Sequence, residues 1–223
     1  MKSLEDKISL TYSYFDEITS SYPEKDIVVA WTGGKDSTCV LYLWHLYLKQ
    51  RKAEAPIKAI FIDTGFTFPE IYNTLEIIGK KLQVDLETFS PRVDLSRYPK
   101  TDVLRCCRDL KVRPLHEAIL KHGIKVIYTG VRGDETPARE ERKWKEPRDH
   151  PPYLQINPIL HWRESDVWTF HIMHSIPYCE LYNRGYRSID CIPCTSPSIS
   201  SERDGRNPNK EKTLSLLHSM GYF

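Results

Sequence analysis

The chain has 223 residues and a mass of 26.1 kDa, is 40% hydrophobic and 28% charged, and carries 32 basic against 30 acidic residues. That composition excludes a disordered or collagen-like polymer, and no apolar run approaches the roughly 20 residues of a membrane helix. The N-terminal MKSLEDKISL is charged and lacks the apolar stretch of a secretory signal, so the expectation is a cytoplasmic protein with no membrane partner.

An amphipathic helix is expected over residues 4–20, with Leu4, Ile8, Tyr12, Phe15 and Ile18 at helical spacing. DIVVAW (26–31) reads as a buried strand, followed by a Gly-containing turn over 32–36 and a helix over 37–50. IKAIFID (57–63) reads as a second strand, 70–82 as a helix and 84–89 as a third strand. A helix over 114–122 has Pro114 in its first turn, where no N–H is needed, and IKVIYT (124–129) is the fourth strand. This alternation predicts an α/β fold with a doubly wound, mostly parallel sheet and a ligand crevice at the carboxyl ends of the strands. Between Arg97 and Arg148, 14 Lys/Arg face 8 Asp/Glu, a stretch able to hold polyanions or simply to form a solvated helical face. Beyond Arg148, Pro151-Pro152 breaks the chain. Residues 154–160 suit an edge strand, and 165–174 a helix whose N-terminal dipole is matched by Glu164 and Asp166. From Ile176 the sequence is irregular and rich in Pro, Ser, Arg and Cys, as expected of a tail folded over the active face.

Thr32-Gly33-Gly34-Lys35-Asp36-Ser37 lies between a strand and a helix. Glycine lets backbone approach phosphate oxygens, and the helix N-terminus offers free N–H groups and a positive dipole end. Lys35 adds a mobile charge, Ser37 a hydroxyl, and Asp36 a ligand for a Mg²⁺ ion bridging phosphates. The Walker pattern is absent. The six residues resemble the PP-loop, S/T-G-G-x-D-S, of the ATP pyrophosphatase superfamily, which cleaves ATP between its α and β phosphates and adenylates an acceptor. The resemblance implies an adenine nucleotide alpha hydrolase-like fold. It makes Thr32, Gly33, Gly34, Lys35, Asp36, Ser37, Asp63, Gly130 and Arg132 nucleotide contacts, with Lys35, Asp36 and Arg132 catalytic. Asp134 and Glu135 either bind metal or cap the next helix. The expected organisation is a single domain over 1–223, with an N-terminal helix (1–22), a nucleotide-binding core (26–148) and a C-terminal segment (149–223).

Six cysteines in a cytoplasmic chain do not suggest a disulfide framework. Cys39 and Cys179 stand alone, whereas Cys106-Cys107 and Cys191-x-x-Cys194 form tight pairs suited to a [4Fe–4S] cluster, a structural zinc or, for the CxxC, redox work. The histidines are scattered, and Trp144, Trp162 and Trp168 read as packing residues more than as base-stacking ones. The segments around Cys106-Cys107-x-x-x-Lys111-x-x-Pro114 and Cys191-x-x-Cys194-Thr195, with the later Glu202-Arg203-x-Gly205-Arg206, resemble the phosphoadenylylsulfate (PAPS) reductase family, a branch of the same superfamily. Asp190 stands where that family has Gly. The resemblance implies that Cys106, Cys107, Cys191 and Cys194 ligate a [4Fe–4S] cluster, with Lys111, Arg187 and Arg203 as anion contacts.

Family reductases end in an E-C-G-x-H motif and usually have a degraded phosphate loop. Here the loop is intact, no cysteine follows Cys194, and the last residues resemble the small subunit of bacterial sulfate adenylyltransferase. Cys179 is a weak substitute for the missing thiol. An intact loop with four cluster cysteines is similar to the sulfur-transfer members of DNA phosphorothioation and to some tRNA thiolases. The main expectation is therefore an ATP pyrophosphatase using ATP, Mg²⁺ and a [4Fe–4S] cluster to adenylate a DNA or tRNA acceptor for sulfur transfer. Its expected partners are a sulfur donor such as a cysteine desulfurase, other complex subunits, and further copies of itself in a homo-oligomer. The alternatives are a reductase of adenylyl sulfate or phosphoadenylyl sulfate, sulfate adenylylation with a GTPase partner, and a non-enzymatic nucleotide-binding regulator.

Overall fold

Ser3 opens helix α1 (Leu4–Thr19) through a reciprocal cap in which its hydroxyl accepts the Asp6 N–H and the Asp6 carboxylate accepts the Ser3 N–H. The computed structural model describes residues 2–53, 55–99 and 102–223. Strand β1 (Ile27–Ala30) is buried at all four positions, as an interior parallel strand must be. It leads into α2 (Lys35–Gln50), β2 (Lys58–Ile62), α3 (Pro69–Leu82) and β3 (Asp85–Phe89). Then come α4 (Val103–Cys107), a π-helical turn (Arg108–Val112), α5 (Arg113–His122) and β4 (Val126–Tyr128). The single turn α6 (Pro137–Glu140) precedes the hairpin β5 (Lys145–Asp149) and β6 (Pro152–Ile156), and α7 (Glu164–Met173) follows. Short helices α8 (Pro208–Lys212) and α9 (Leu214–Ser219) end the described chain.

Among the described residues the sheet has six strands in the order β3-β2-β1-β4-β6-β5, parallel except for β5 against β6. The doubly wound expectation holds. Successive residues of β1 face opposite layers. Val29 joins a core with Phe15, Trp44, Ile78 and Phe170, while Val28 and Ala30 pack with Leu115 and Ile119 of α5. Phe15, Trp44 and Tyr128 form one aromatic knot with ring centroids 4.9–5.2 Å apart, locking α1 and α2 onto β4.

Two expectations are corrected. The strand placed at 154–160 lies at 152–156 and is interior, because β5 covers its outer side; the KEPRD of β5 is polar and contains Pro147, which an edge tolerates. The helix expected from Pro114 begins at Val103, its two halves joined through the π-helical turn.

Candidate functional site

The turn after β1 sits at the carboxyl end of the sheet. Gly33 has φ +74°, in the left-handed region that favours glycine. The Thr32 N–H donates to Ser37 Oγ at 3.1 Å, and Trp31 Nε1 donates to Thr38 Oγ1 at 3.0 Å, pinning the loop to the first turn of α2. Gly130, at the end of β4, lies against the same backbone. A Cβ there would stand 2.6 Å from the Ser37 nitrogen.

A cavity of about 220 Å³ opens beside this loop. Thr32, Gly34, Asp36, Ser37 and Gly130 line it, as do Ala30, Ile60 and Ile62 from the apolar ends of β1 and β2, the charged Lys111, Glu135, Arg139, Asp190, Arg203 and Arg206, and Cys191. The loop and the second cysteine pair thus share one cavity, and Tyr222 of the last segment also lines it.

The two expected catalytic cations, Lys35 and Arg132, are not on that wall; both side chains are almost fully buried. Lys35 Nζ donates to Asp36 Oδ2 at 2.9 Å and to Glu202 Oε1 at 2.5 Å. Arg132 donates to Asp36, to Asp134 Oδ1 at 2.9 Å and to Glu202 Oε2 at 2.5 Å. The Lys35 N–H, one of the donors at the start of α2, is taken by the Tyr182 hydroxyl at 2.8 Å. Burial opposes the charge on Lys35, but Asp36, Tyr182 and Glu202 raise its pKa above the ordinary value. Burial also acts on Glu202 and, with the Asp36 and Glu135 carboxylates, pushes its carboxyl up against the pull of Lys35 and Arg132.

Oxygens of Asp36, Glu135 and Glu202 lie within 4.8 Å of one another, the neighbourhood expected of a Mg²⁺ ligand set. Each is countered by protein cations. Glu135 accepts the Arg132 N–H and pairs with Arg139 and Arg203. Burial would raise it, yet those three arginines hold it down at about 2. Glu135 caps the turn over 133–135. Asp63 accepts the Gly65 N–H and the Thr67 hydroxyl, both at 3.0 Å; it shapes the turn after β2, and Thr64 and Thr67 are the residues that reach the cavity.

The cysteine end has the opposite balance. Asp190 accepts from Lys111 and Lys210 and pairs with Arg206 at 3.0 Å, and all four side chains are largely buried. Three cations thus face Asp190, and Glu211 approaches one of them, Arg206, at 4.0 Å. Arg206 Nε and Nη1 are buried without a hydrogen-bond partner. Cys107 and Cys191 lie close enough to Lys111 to act on its charge, and α4, which carries Cys106 and Cys107, packs against α8, which carries Lys210. Cys191 Sγ is 3.3 Å from Thr64 Oγ1. Burial, then Asp190, push the Cys194 thiol up to about 11. The Tyr222 ring lies over Lys210 Nζ at 4.8 Å and Lys111 Nζ at 5.5 Å.

These residues fit an anionic thiolate cluster. The candidate donors are all sulfur, and Lys111, Lys210 and Arg206 beside them outnumber Asp190 and Glu211. Of the expected anion contacts, Lys111 and Arg203 line the cavity. Arg187 is engaged by Glu164 and the Ser200 carbonyl, and Arg203 by Glu135 and Glu211. Cys179 is buried in the core. Sequence reasoning overlooked Glu202, Tyr182, Lys210 and Tyr222 as site residues; the one available signal was Glu202 in the E-R-x-G-R element.

A model of the phosphoadenosine phosphosulfate reductase domain matches residues 26–197. The adenosine 5'-phosphosulfate reductase of Geobacillus thermodenitrificans is 32% identical over 93% of this chain and 91% of its own. Among solved structures, the phosphoadenylyl-sulfate reductase of Candida auris superposes with a TM-score of 0.67 at 20% identity, covering 88% of this chain and 98% of its own. The FMN adenylyltransferase of Candida glabrata gives 0.73 at 22% identity, covering 87% and 67%. The two structures share the fold. The reductase relatives overturn the expectation of an ATP pyrophosphatase that activates a nucleic acid for sulfur transfer. The charges supply a physical reason: in the fold Asp36, Asp134 and Glu202 are paired with Lys35 and Arg132, the two cations that reading assigned to catalysis.

Proposed function

The chain belongs to the phosphoadenosine phosphosulfate reductase domain family, and from that premise we propose that it reduces adenylyl sulfate to sulfite and AMP. The observation that carries this reading is the difference between two sets of cations: Lys35 and Arg132 are turned into the protein and held by Asp36, Asp134 and Glu202, whereas Lys111 and Arg206 line the cavity and share Asp190. A mixed anhydride of AMP and sulfate carries its two anionic groups at one end. With adenosine along the apolar wall of Ala30, Ile60 and Ile62, those groups point toward Lys111 and Arg206.

The chemistry needs two electrons. A thiolate from a dithiol reductant attacks the sulfonate sulfur, and the S–O bond breaks with its electron pair leaving on the AMP phosphate. The second thiolate then attacks the thiosulfonate, releasing sulfite and leaving a disulfide. Lys111 and Arg206 serve by holding the sulfonate and offsetting the charge that builds on its oxygens. Tyr222, over Lys111 and Lys210, shields these cations from water. Cys106, Cys107, Cys191 and Cys194 would hold a [4Fe–4S] cluster. With four thiolates such a cluster is a dianion in its oxidised state and would supply a polarisable anionic centre beside the reacting sulfur.

The test uses anaerobically purified protein with adenylyl sulfate and a dithiol such as reduced thioredoxin. Sulfite and AMP should form in equal amounts, and Lys111→Ala should lower kcat/KM by about a hundredfold. Iron and sulfide analysis should give four of each per chain. Absence of sulfite from both adenylyl sulfate and its 3'-phosphorylated form, with iron fully loaded, refutes the reading.

A further inference from the structure

A phosphate loop with every motif residue in place has its cations closed off by a residue from the far end of the chain. Glu202 spans both of them, Oε1 at 2.5 Å from Lys35 Nζ and Oε2 at 2.5 Å from Arg132 Nη2. A carboxylate that bridges an ammonium and a guanidinium in this way copies the charge and the two-oxygen edge of a phosphate.

The segment around Glu202 is built to deliver it. Thr195 and Arg206 form an antiparallel bridge, and the Ser196 N–H donates to the Gly205 carbonyl at 2.8 Å. A Cβ on Gly205 would fall 2.1 Å from the Ser196 carbonyl oxygen, so the two arms close tightly there. Asp204 accepts from the Ser201 hydroxyl at 2.5 Å and the Ser201 N–H at 3.1 Å, folding the tip. Ile199, Ser200, Ser201 and Asp204 face solvent, and Glu202 turns inward to the buried cations. Its position is set by the fold of this tip, and what it meets is Lys35 of the loop and Arg132 from beyond β4.

We propose that Glu202 is a specificity-determining residue: it stands in the place of a terminal phosphate and makes the cavity accept adenosine monophosphate esters while rejecting ATP and pyrophosphate. An incoming triphosphate must displace Glu202 and leave that carboxylate without its cations, next to Asp36 and Glu135. An adenylyl sulfate need not, because its anions lie toward Lys111 and Arg206. The inference rests on the proposed function for the adenosine part of the ligand and for the placing of its anions toward Lys111 and Arg206.

Calorimetry on the full chain, with AMP, ATP and inorganic pyrophosphate as probes, tests it without turnover. The unsubstituted chain should bind AMP at least about tenfold more tightly than ATP, a gap of about 1.4 kcal/mol. Glu202→Gln keeps the shape and removes the charge. It should tighten ATP and pyrophosphate by about tenfold or more and change AMP by less than about threefold. Glu202→Asp, too short to bridge both cations, should fall between them and covers the case in which Glu202→Gln fails to fold. ATP bound by the unsubstituted chain as tightly as AMP, or unchanged pyrophosphate affinity in both variants, overturns the proposal. Sulfite production is measured separately. A chain that reduces adenylyl sulfate but shows no selection against ATP defeats this inference alone. One that selects against ATP but yields no sulfite defeats the proposed function alone.

Discussion

Asp190→Asn isolates the electrostatic design of the cysteine end. The native carboxylate is nearly buried and meets Lys111, Lys210 and Arg206, which hold its carboxyl well below the usual carboxylate range despite the opposing effect of burial. Asparagine preserves the volume and removes the negative charge the three cations share, leaving Lys111 and Lys210 beside a neutral amide and Arg206 with Glu211 at 4.0 Å. Breaking a buried ion pair from one side costs about 3–5 kcal/mol, because the remaining charge has lost both water and partner. For a chain of this length that lowers the thermal midpoint by on the order of 10 °C. A second substitution, Lys210→Met, removes one of the stranded cations and should recover at least about 1 kcal/mol, so the two changes are non-additive in the stabilising direction. Chemical and thermal denaturation of the single and double variants, purified anaerobically, measure this. An Asp190→Asn chain within about 1 kcal/mol of the parent refutes the reasoning, as does a double variant whose loss equals or exceeds the sum of the single ones.

Gly130→Ala should weaken AMP binding by about tenfold and cost about 1–3 kcal/mol, read by calorimetry and urea denaturation, because the added methyl meets backbone of the phosphate loop at 2.6 Å and 2.9 Å. Tyr182→Phe strips the acceptor from the Lys35 N–H and should cost about 1–3 kcal/mol, with faster hydrogen exchange at that amide. Glu146 gives a pH signature. Burial favours its neutral form, but His218 and Arg142 hold its pKa at about 2, below the unperturbed 4.5. A depressed acid stabilises fully above its unfolded pKa and loses that contribution as pH falls toward the folded one. The stability gap between the parent and Glu146→Gln should therefore shrink by about 1–2 kcal/mol between pH 6 and pH 3, allowing for solvent screening; a constant gap contradicts the assignment.

The central strands were legible because a parallel interior strand must be apolar on both faces, and IVVA, KAIFI and VIY are close to continuous apolar runs. Strand β5 was not, since KEPRD has neither alternation nor β-branched residues. Only its pairing with β6, residue for residue from Lys145↔Ile156 to Asp149↔Pro152, makes it a strand. Pro114 read as a helix start for a sound local reason, and the π-helical turn before it is what lets a longer helix run through that position. In each case the local signal was real and a partner distant in sequence decided the outcome.

The site divides along the same line. A loop motif specifies what its own backbone and side chains can do, and here Gly33 takes the left-handed turn while Ser37 Oγ accepts the Thr32 N–H. It says nothing of which charges other segments bring to it. Glu202 lies 167 residues from Lys35 and Tyr182 lies 147, so no spacing within the motif could announce them. Asp190 stood out in the sequence as a departure from glycine, but its meaning depended on Lys210 and Arg206 arriving beside it. Whether a phosphate loop is an open anion trap or a closed one is a property of the summed charge around it. Reading the intact motif as ATP cleavage treated Lys35 and Arg132 as free, and in the fold each is already held by carboxylates from two separate parts of the chain.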